Sequence, residues 1–236
     1  MRAAIALVGV ALATGCGGGS GAGNGQLTIF AAASLSDVLE PLAASGRFNF
    51  AGSDELATQI REGAEADVFA AASARYPDEL EREGLVERPR VFATNRLVLI
   101  ASDSAVRSVA DLARPGVKLV VAQAGVPVGD YTREALVRLG ETRVLGRVVS
   151  EEQDVKGVLG KVRLGEADAG FVYATDVERQ RPARVVELPA RAQPRIEYSV
   201  AVVSASPRRR EAERFVERLL GAEGRRLLAA AGFGTP

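Results

Sequence analysis

Five short stretches of the chain carry groups that can donate hydrogen bonds from the end of a strand. Ser34 closes LTIFAAAS, Ser53 follows FNFAG, residues 125–129 read GVPVG, Glu151 to Val155 link a strand to a helix, and Tyr173 ends AGFVY. Helix N-termini hold unpaired N–H groups and the positive end of the helix dipole, so they attract anions. Serine and tyrosine add O–H donors at the same places. Taken singly, Ser34 and Ser53 read as ordinary N-caps, GVPVG as a turn and Tyr173 as a core-edge tyrosine. Only the whole set, in this order, points to a site.

The rest of the inventory removes competing chemistries. No histidine occurs among the 236 residues, which excludes a Ser-His-Asp or Cys-His nucleophile, a His general base and a His-ligated zinc. Cys16 is the single cysteine, so there is no intrachain disulfide, redox pair or thiolate cluster. Thirty basic side chains balance thirty acidic ones, against the basic excess of a nucleic-acid binder. Eight Phe, four Tyr and no Trp disfavour a sugar- or base-stacking site. Neither GxGxxG nor GxxxxGK[ST] is present, so dinucleotide and P-loop readings have no motif. The only lysines, Lys118, Lys156 and Lys161, sit in strand or helix patterns. An organic acid would call for an arginine clamp, and only Arg133 falls near a donor loop. A binding protein without a cofactor, rather than an enzyme, is expected.

From Gln26 onward, strand and helix patterns alternate. Strands are expected at 27–30, 47–50, 67–70, 95–101, 118–122, 144–149, 167–173, 185–188 and 196–203. Helices are expected at 35–44, 54–62, 75–83, from about 130 to 139, 155–164, 207–220 and 222–231. This βαβ grammar predicts an α/β fold with largely parallel sheets, which bind ligands beyond the carboxyl ends of their strands.

The N-terminus reads as an address. Arg2 precedes an apolar run, and the small residues Ala13-Thr14-Gly15 lead directly to Cys16. The run is too short for a transmembrane span, and the pattern resembles a bacterial lipoprotein signal over 1–16 with Cys16 as the lipidated residue. Ala13 stands where that motif more often has Leu. Residues 17–25, GGGSGAGNG, form a flexible tether.

The segments LTIFAAASLSDVL, FAGSDELATQIREGAEADVFAAAS, NRLVLIA, GVPVGDYTREAL, EEQDVKGVLGKVRLGEADAGFVYATD and IEYSVAVV together resemble the periplasmic molybdate-binding proteins of ABC importers, from about Gln26 to Phe233. The resemblance implies a two-lobed, periplasmic-binding-protein-like fold, each lobe a mostly parallel sheet flanked by helices, with two crossover strands. Lobe one would comprise 26–94 plus 199–236, and lobe two 95–198. It implies that molybdate or tungstate is held by the hydroxyls of Ser34, Ser53 and Tyr173 and by backbone N–H groups at Val128 and Val155, with no protein ligand on the metal centre. It further implies delivery to an ABC permease and its ATPase, a monomer, and a lipid anchor at the extracytoplasmic face of the membrane. Another tetrahedral oxyanion, such as sulfate or phosphate, is the alternative on the same fold. Two departures stand out. The interval from Ser34 to Ser53 is shorter than usual by about two helical turns. Asp54 and Glu55 follow the second serine and must face away from a dianion.

Overall fold

The computed structural model describes residues 26–102, 105–178 and 184–236. The expected signal, the tether and Cys16 lie outside the described residues.

Two five-stranded sheets share one architecture. The first contains β1 (Thr28–Ala32), β2 (Arg47–Ala51), β3 (Val68–Ala71), β4 (Arg90–Asn95) and β10 (Ile196–Val202), in the order β2-β1-β3-β10-β4. Here β1 pairs parallel with β2 and β3, while β10 runs antiparallel to β3 and β4. The second contains β5 (Leu97–Ala101), β6 (Leu119–Ala122), β7 (Val148–Glu152), β8 (Ala169–Tyr173) and β9 (Arg184–Glu187), in the order β7-β6-β8-β5-β9. Its β6 pairs parallel with β7 and β8, and β5 runs antiparallel to β8 and β9. Each sheet is thus three parallel strands, one reversed strand and an edge strand.

Burial explains the strand patterns. Every residue of β1, β3, β5, β6 and β8 is buried, which is why these strands read as continuous small or apolar runs. The helices present one stripe each. In α2 (Ser53–Arg61), Leu56, Ala57 and Ile60 face inward, and in α7 (Arg209–Leu220) Ala212, Phe215, Val216 and Leu219 do so. α7 packs on β10 of the first sheet. In the last helix, α8 (Ala222–Ala230), Leu228 is buried and Leu227 is half-buried against the core.

Several expected elements shift. The expected helix 35–44 is a 3-10 turn at Ala33–Leu35, a single turn α1 (Ser36–Leu39) and another 3-10 turn at Glu40–Ala43. Pro41 supplies no N–H there. Its inward set of Leu35, Val38, Leu39 and Leu42 is nevertheless buried. The chain 90–95 is a strand that the charged sequence RVFATN conceals, and it pairs with β10. Asn95 therefore ends β4, and the chain changes sheet at Arg96. The return falls between β9 and β10, because residues 196–198 pair with β4; the sequence places that boundary between 198 and 199. Of the expected strand 144–149, residues 144–147 belong to the 3-10 helix Thr142–Arg147 and β7 starts at Val148. The helix expected near Asp130 begins at Pro127, as α4 (Pro127–Leu139), because proline is preorganised for a first helical position.

Candidate functional site

Three parallel strands in each sheet end toward the same space. After β1 the chain turns through Ser34, after β2 it enters α2 at Ser53, and after β3 it reaches Ala72. After β6 it enters α4, with Val128 at the second helical position. After β7 it enters α5 (Val155–Arg163), and β8 ends on Tyr173. All six line one cavity, with Ala32, Ala33, Ala51, Gly52, Val126, Pro127 and Asp154. The cavity volume is about 20 Å³, where one water-sized group needs roughly 10–15 Å³. That suits a small ion better than an organic molecule. Ser34, Ser53, Val128, Val155 and Tyr173 are each at most 6% exposed.

Neither serine serves as an N-cap. Gly52 caps α2, and Ser53 is its first residue. The Ser53 Oγ accepts a hydrogen bond from the Ala72 N–H at 3.1 Å, so its proton is free for another acceptor. Ser34 lies inside the 3-10 turn, with its Oγ 2.9 Å from the Tyr198 Oη. Tyr173 Oη is buried and, among the described residues, has no hydrogen-bond partner. Burial holds the Tyr173 phenol well above its ordinary pKa, so it remains a donor. The N-termini of α2 and α4 have no side-chain cap, which leaves their first N–H groups for another acceptor. Only α5 is capped, by the Asp154 carboxylate accepting from the Gly157 N–H at 2.9 Å.

Two glycines permit this convergence. A Cβ on Gly129 would lie 2.1 Å from the Gln123 carbonyl oxygen, and one on Gly52 would lie 2.6 Å from that of Gln153. The first allows α4 to start hard against the loop after β6; the second lets the two lobes touch beside Ser53.

No lysine or arginine lines the cavity among the described residues. Arg133 is committed elsewhere, donating to the Ala122 and Gly129 carbonyls and pairing with Glu151. Asp54 and Glu55 do not line it either. Burial raises the Asp54 pKa. Around the rim, contacts join the lobes. Tyr76 donates to the Gly125 carbonyl, Arg75 reaches Asp130 at 3.3 Å, and Asn95 Nδ2 donates to Thr175 Oγ1 at 3.0 Å. Lys156 Nζ lies 2.8 Å from Asp37 and 3.4 Å from Asp176. Burial pushes the Asp176 carboxyl up to about 6 while Lys156 pulls it back. Burial likewise opposes the Lys156 charge, but Asp176 and Asp37 more than offset this and raise its pKa.

A family model described as bacterial extracellular solute-binding protein matches residues 27–234. The chain belongs to this family. Within the solute-binding proteins, it is 38% identical over 224 residues to a molybdate-binding protein, ModA, of Mycobacterium tuberculosis, covering 89% of this chain and 85% of the relative. It is 30% identical to the ModA of Escherichia coli over 215 residues, covering 83% and 84%. A solved periplasmic molybdate-binding protein of Azotobacter vinelandii superposes with a TM-score of 0.81 over 89% of this chain and all of the other, at 22% identity. The sulfate-binding protein SubI of M. tuberculosis superposes at 0.71 and 18% identity, covering 88% of this chain and 86% of SubI. At such identities these two likenesses speak for the fold alone, and they agree with the two-lobed α/β architecture.

The structure brings together all five residues proposed from the sequence, Ser34, Ser53, Val128, Val155 and Tyr173. Sequence reasoning missed Ala72, Asp154, Gly52 and the Tyr198 contact. Ala72 carried a signal, since it stands just before Ser73 in ADVFAAAS, which repeats the small-residue ending of LTIFAAAS. Tyr198 carried only the presence of a polar tip inside the apolar run IEYSVAVV.

Proposed function

We propose that this solute-binding protein captures molybdate or tungstate between its lobes and delivers it to an ABC permease and its ATPase. The observation that carries this reading is the cavity itself: three hydroxyls and the starts of α2, α4 and α5 face one small space lined by no cation. A buried dianion is prohibitive unless fixed donors replace its hydration shell. Ser34, Ser53 and Tyr173 would bond it through O–H, Val128 and Val155 through main-chain N–H, leaving the metal centre without protein ligands. Relatives named for molybdate at 30% identity and above support the choice of anion. The protein works as a monomer on the extracytoplasmic side, held to the membrane by lipid on Cys16.

Thermal denaturation and titration calorimetry with molybdate, tungstate, sulfate and phosphate test the ligand. The melting temperature rises with molybdate or tungstate concentration, as for any ligand that binds only the native state. A rise with sulfate or phosphate and none with molybdate would replace the ligand. For the anchor, Cys16→Ser moves the protein from the membrane fraction to the soluble one in cells lacking the permease; equal membrane retention rejects lipidation.

A further inference from the structure

Tyr198 does not line the cavity, yet its hydroxyl touches one of the groups that does. It is fully buried on β10, edge-on to Phe92, Tyr173 and Phe233. Its Oη has two neighbours, Ser34 Oγ at 2.9 Å and Asn95 Nδ2 at 3.4 Å. The direction of the first bond follows from the second. The Asn95 Oδ1 accepts from the Arg96 N–H at 2.8 Å, which fixes the orientation of the amide. Its Nδ2 then faces both Thr175 Oγ1 and Tyr198 Oη. An amide nitrogen only donates. The Tyr198 oxygen therefore accepts from Asn95, and Ser34 Oγ is the one acceptor among its described neighbours for its own buried proton. With one of its two lone pairs so occupied, Ser34 has its proton left for the cavity. Ser53 has the same polarity through the Ala72 N–H.

We propose that Tyr198 is a positioning residue for specificity: it locks the Ser34 hydroxyl as a donor toward the ligand, with Asn95 setting the polarity of the pair. The proposal rests on the oxyanion reading of the cavity. A serine hydroxyl in general both donates and accepts. Locked in this way, Ser34 turns its proton to the ligand and keeps one lone pair at most, so the O–H of a protonated oxyanion finds a poorer partner there than an unlocked serine would give. The lock therefore favours fully deprotonated anions over hydrogen phosphate. It also spans the cleft, since Asn95 sits at the end of β4 in the first lobe and Thr175 follows β8 in the second.

A double-mutant cycle tests it, with titration calorimetry on wild type, Ser34→Ala, Tyr198→Phe and the double variant. Tyr198→Phe keeps the ring and its packing, so the ligand-free melting temperature stays close to wild type. Molybdate affinity falls about three- to tenfold, the scale of one hydrogen bond, and this loss disappears in the Ser34→Ala background. Sulfate, also an acceptor only, weakens in parallel. Hydrogen phosphate, read by displacement, weakens less or strengthens, so the molybdate-to-phosphate ratio narrows. Asn95→Ala leaves Tyr198 in place and gives a smaller loss that again vanishes without the Ser34 hydroxyl. Unchanged affinity in Tyr198→Phe, losses additive with Ser34→Ala, or an unaltered molybdate-to-phosphate ratio would overturn the proposal. Wild-type protein that bound none of these oxyanions would instead overturn the proposed function.

Discussion

In the first sheet the carboxyl ends of β1, β2 and β3 present Ser34, Ser53 and Ala72; in the second, the corresponding ends of β6, β7 and β8 present Val128, Val155 and Tyr173. Strand order and sense are the same, but the donors differ. The first lobe offers two serine hydroxyls, each oriented by a partner behind it (Tyr198 for Ser34 and the Ala72 N–H for Ser53), beside the uncapped helix start of α2. The second offers helix N–H groups, oriented by the backbone itself, and a phenol with no partner among the described residues. A hydroxyl can rotate and needs a second layer to aim it. An amide at a helix start is aimed by the helix and leaves its side chain free to fill space. One topology can therefore line a cavity mainly with aimed hydroxyls on one side and mainly with main-chain N–H groups on the other.

The sharpest way to break this comparison is to remove hydroxyls. Ser34→Ala, Ser53→Ala and Tyr173→Phe each lower molybdate affinity roughly ten- to hundredfold, about 1.5–3 kcal/mol for a hydrogen bond to a charged group. Titration calorimetry measures this, and unchanged affinity in all three would refute the site. Gly129→Ala tests whether the main chain matters in the second lobe. Its Cβ meets backbone at 2.1 Å, so α4 must shift, and overpacking costs about 1–3 kcal/mol of stability. Urea denaturation reads that cost, and a fall in affinity accompanies it as the Val128 N–H moves.

The pH effect to test sits at Asp176, in the second lobe. The Asp176 pKa is raised to about 6 in the folded protein from an ordinary 3.8, chiefly by burial and against the pull of Lys156. Between these values the folded state binds more protons than the unfolded one, so stability falls as pH rises through this window. The contribution is fully present below about 3.8 and lost above about 6. Asp176→Asn flattens the corresponding slope in urea denaturation across pH 4–6, and Lys156→Met moves the window upward. An Asp176→Asn profile identical to wild type rejects the assignment. The smallest effect is the control: Val128→Ala leaves affinity within a few-fold, because its amide stays. A loss as large as that of Ser53→Ala would show that the valine side chain, not its N–H, matters.

Much of this was legible in residues. The two serines could be picked out because residue type and position combine: small residues, then a serine, at the end of an apolar strand, and both line the cavity. Val128 and Val155 could be named only through the family resemblance, since a backbone donor leaves no mark on side-chain identity. RVFATN did not read as a strand because its two buried residues, Phe92 and Ala93, are adjacent and give no alternation; pairing with β10 makes it one. Pro127 did mark a helix start, but GVPVG also fits a turn, and only the packing of Gly129 against the loop decides between them.

By itself the sequence determined the alternation of strands and helices, the absence of histidine and thiolate chemistry, and the hydroxyl residues at the strand ends, because periodicity and composition are local properties. The tertiary structure decided how those donors meet. Residues as far apart as Ser34 and Tyr173 share one cavity because two sheets of the same order end toward each other. Asn95, Tyr198 and Ser34 form one hydrogen-bonded chain because β4 and β10 are neighbours and the turn after β1 lies over them. The direction of a shared proton is set by every partner at once, and a linear sequence does not contain that list.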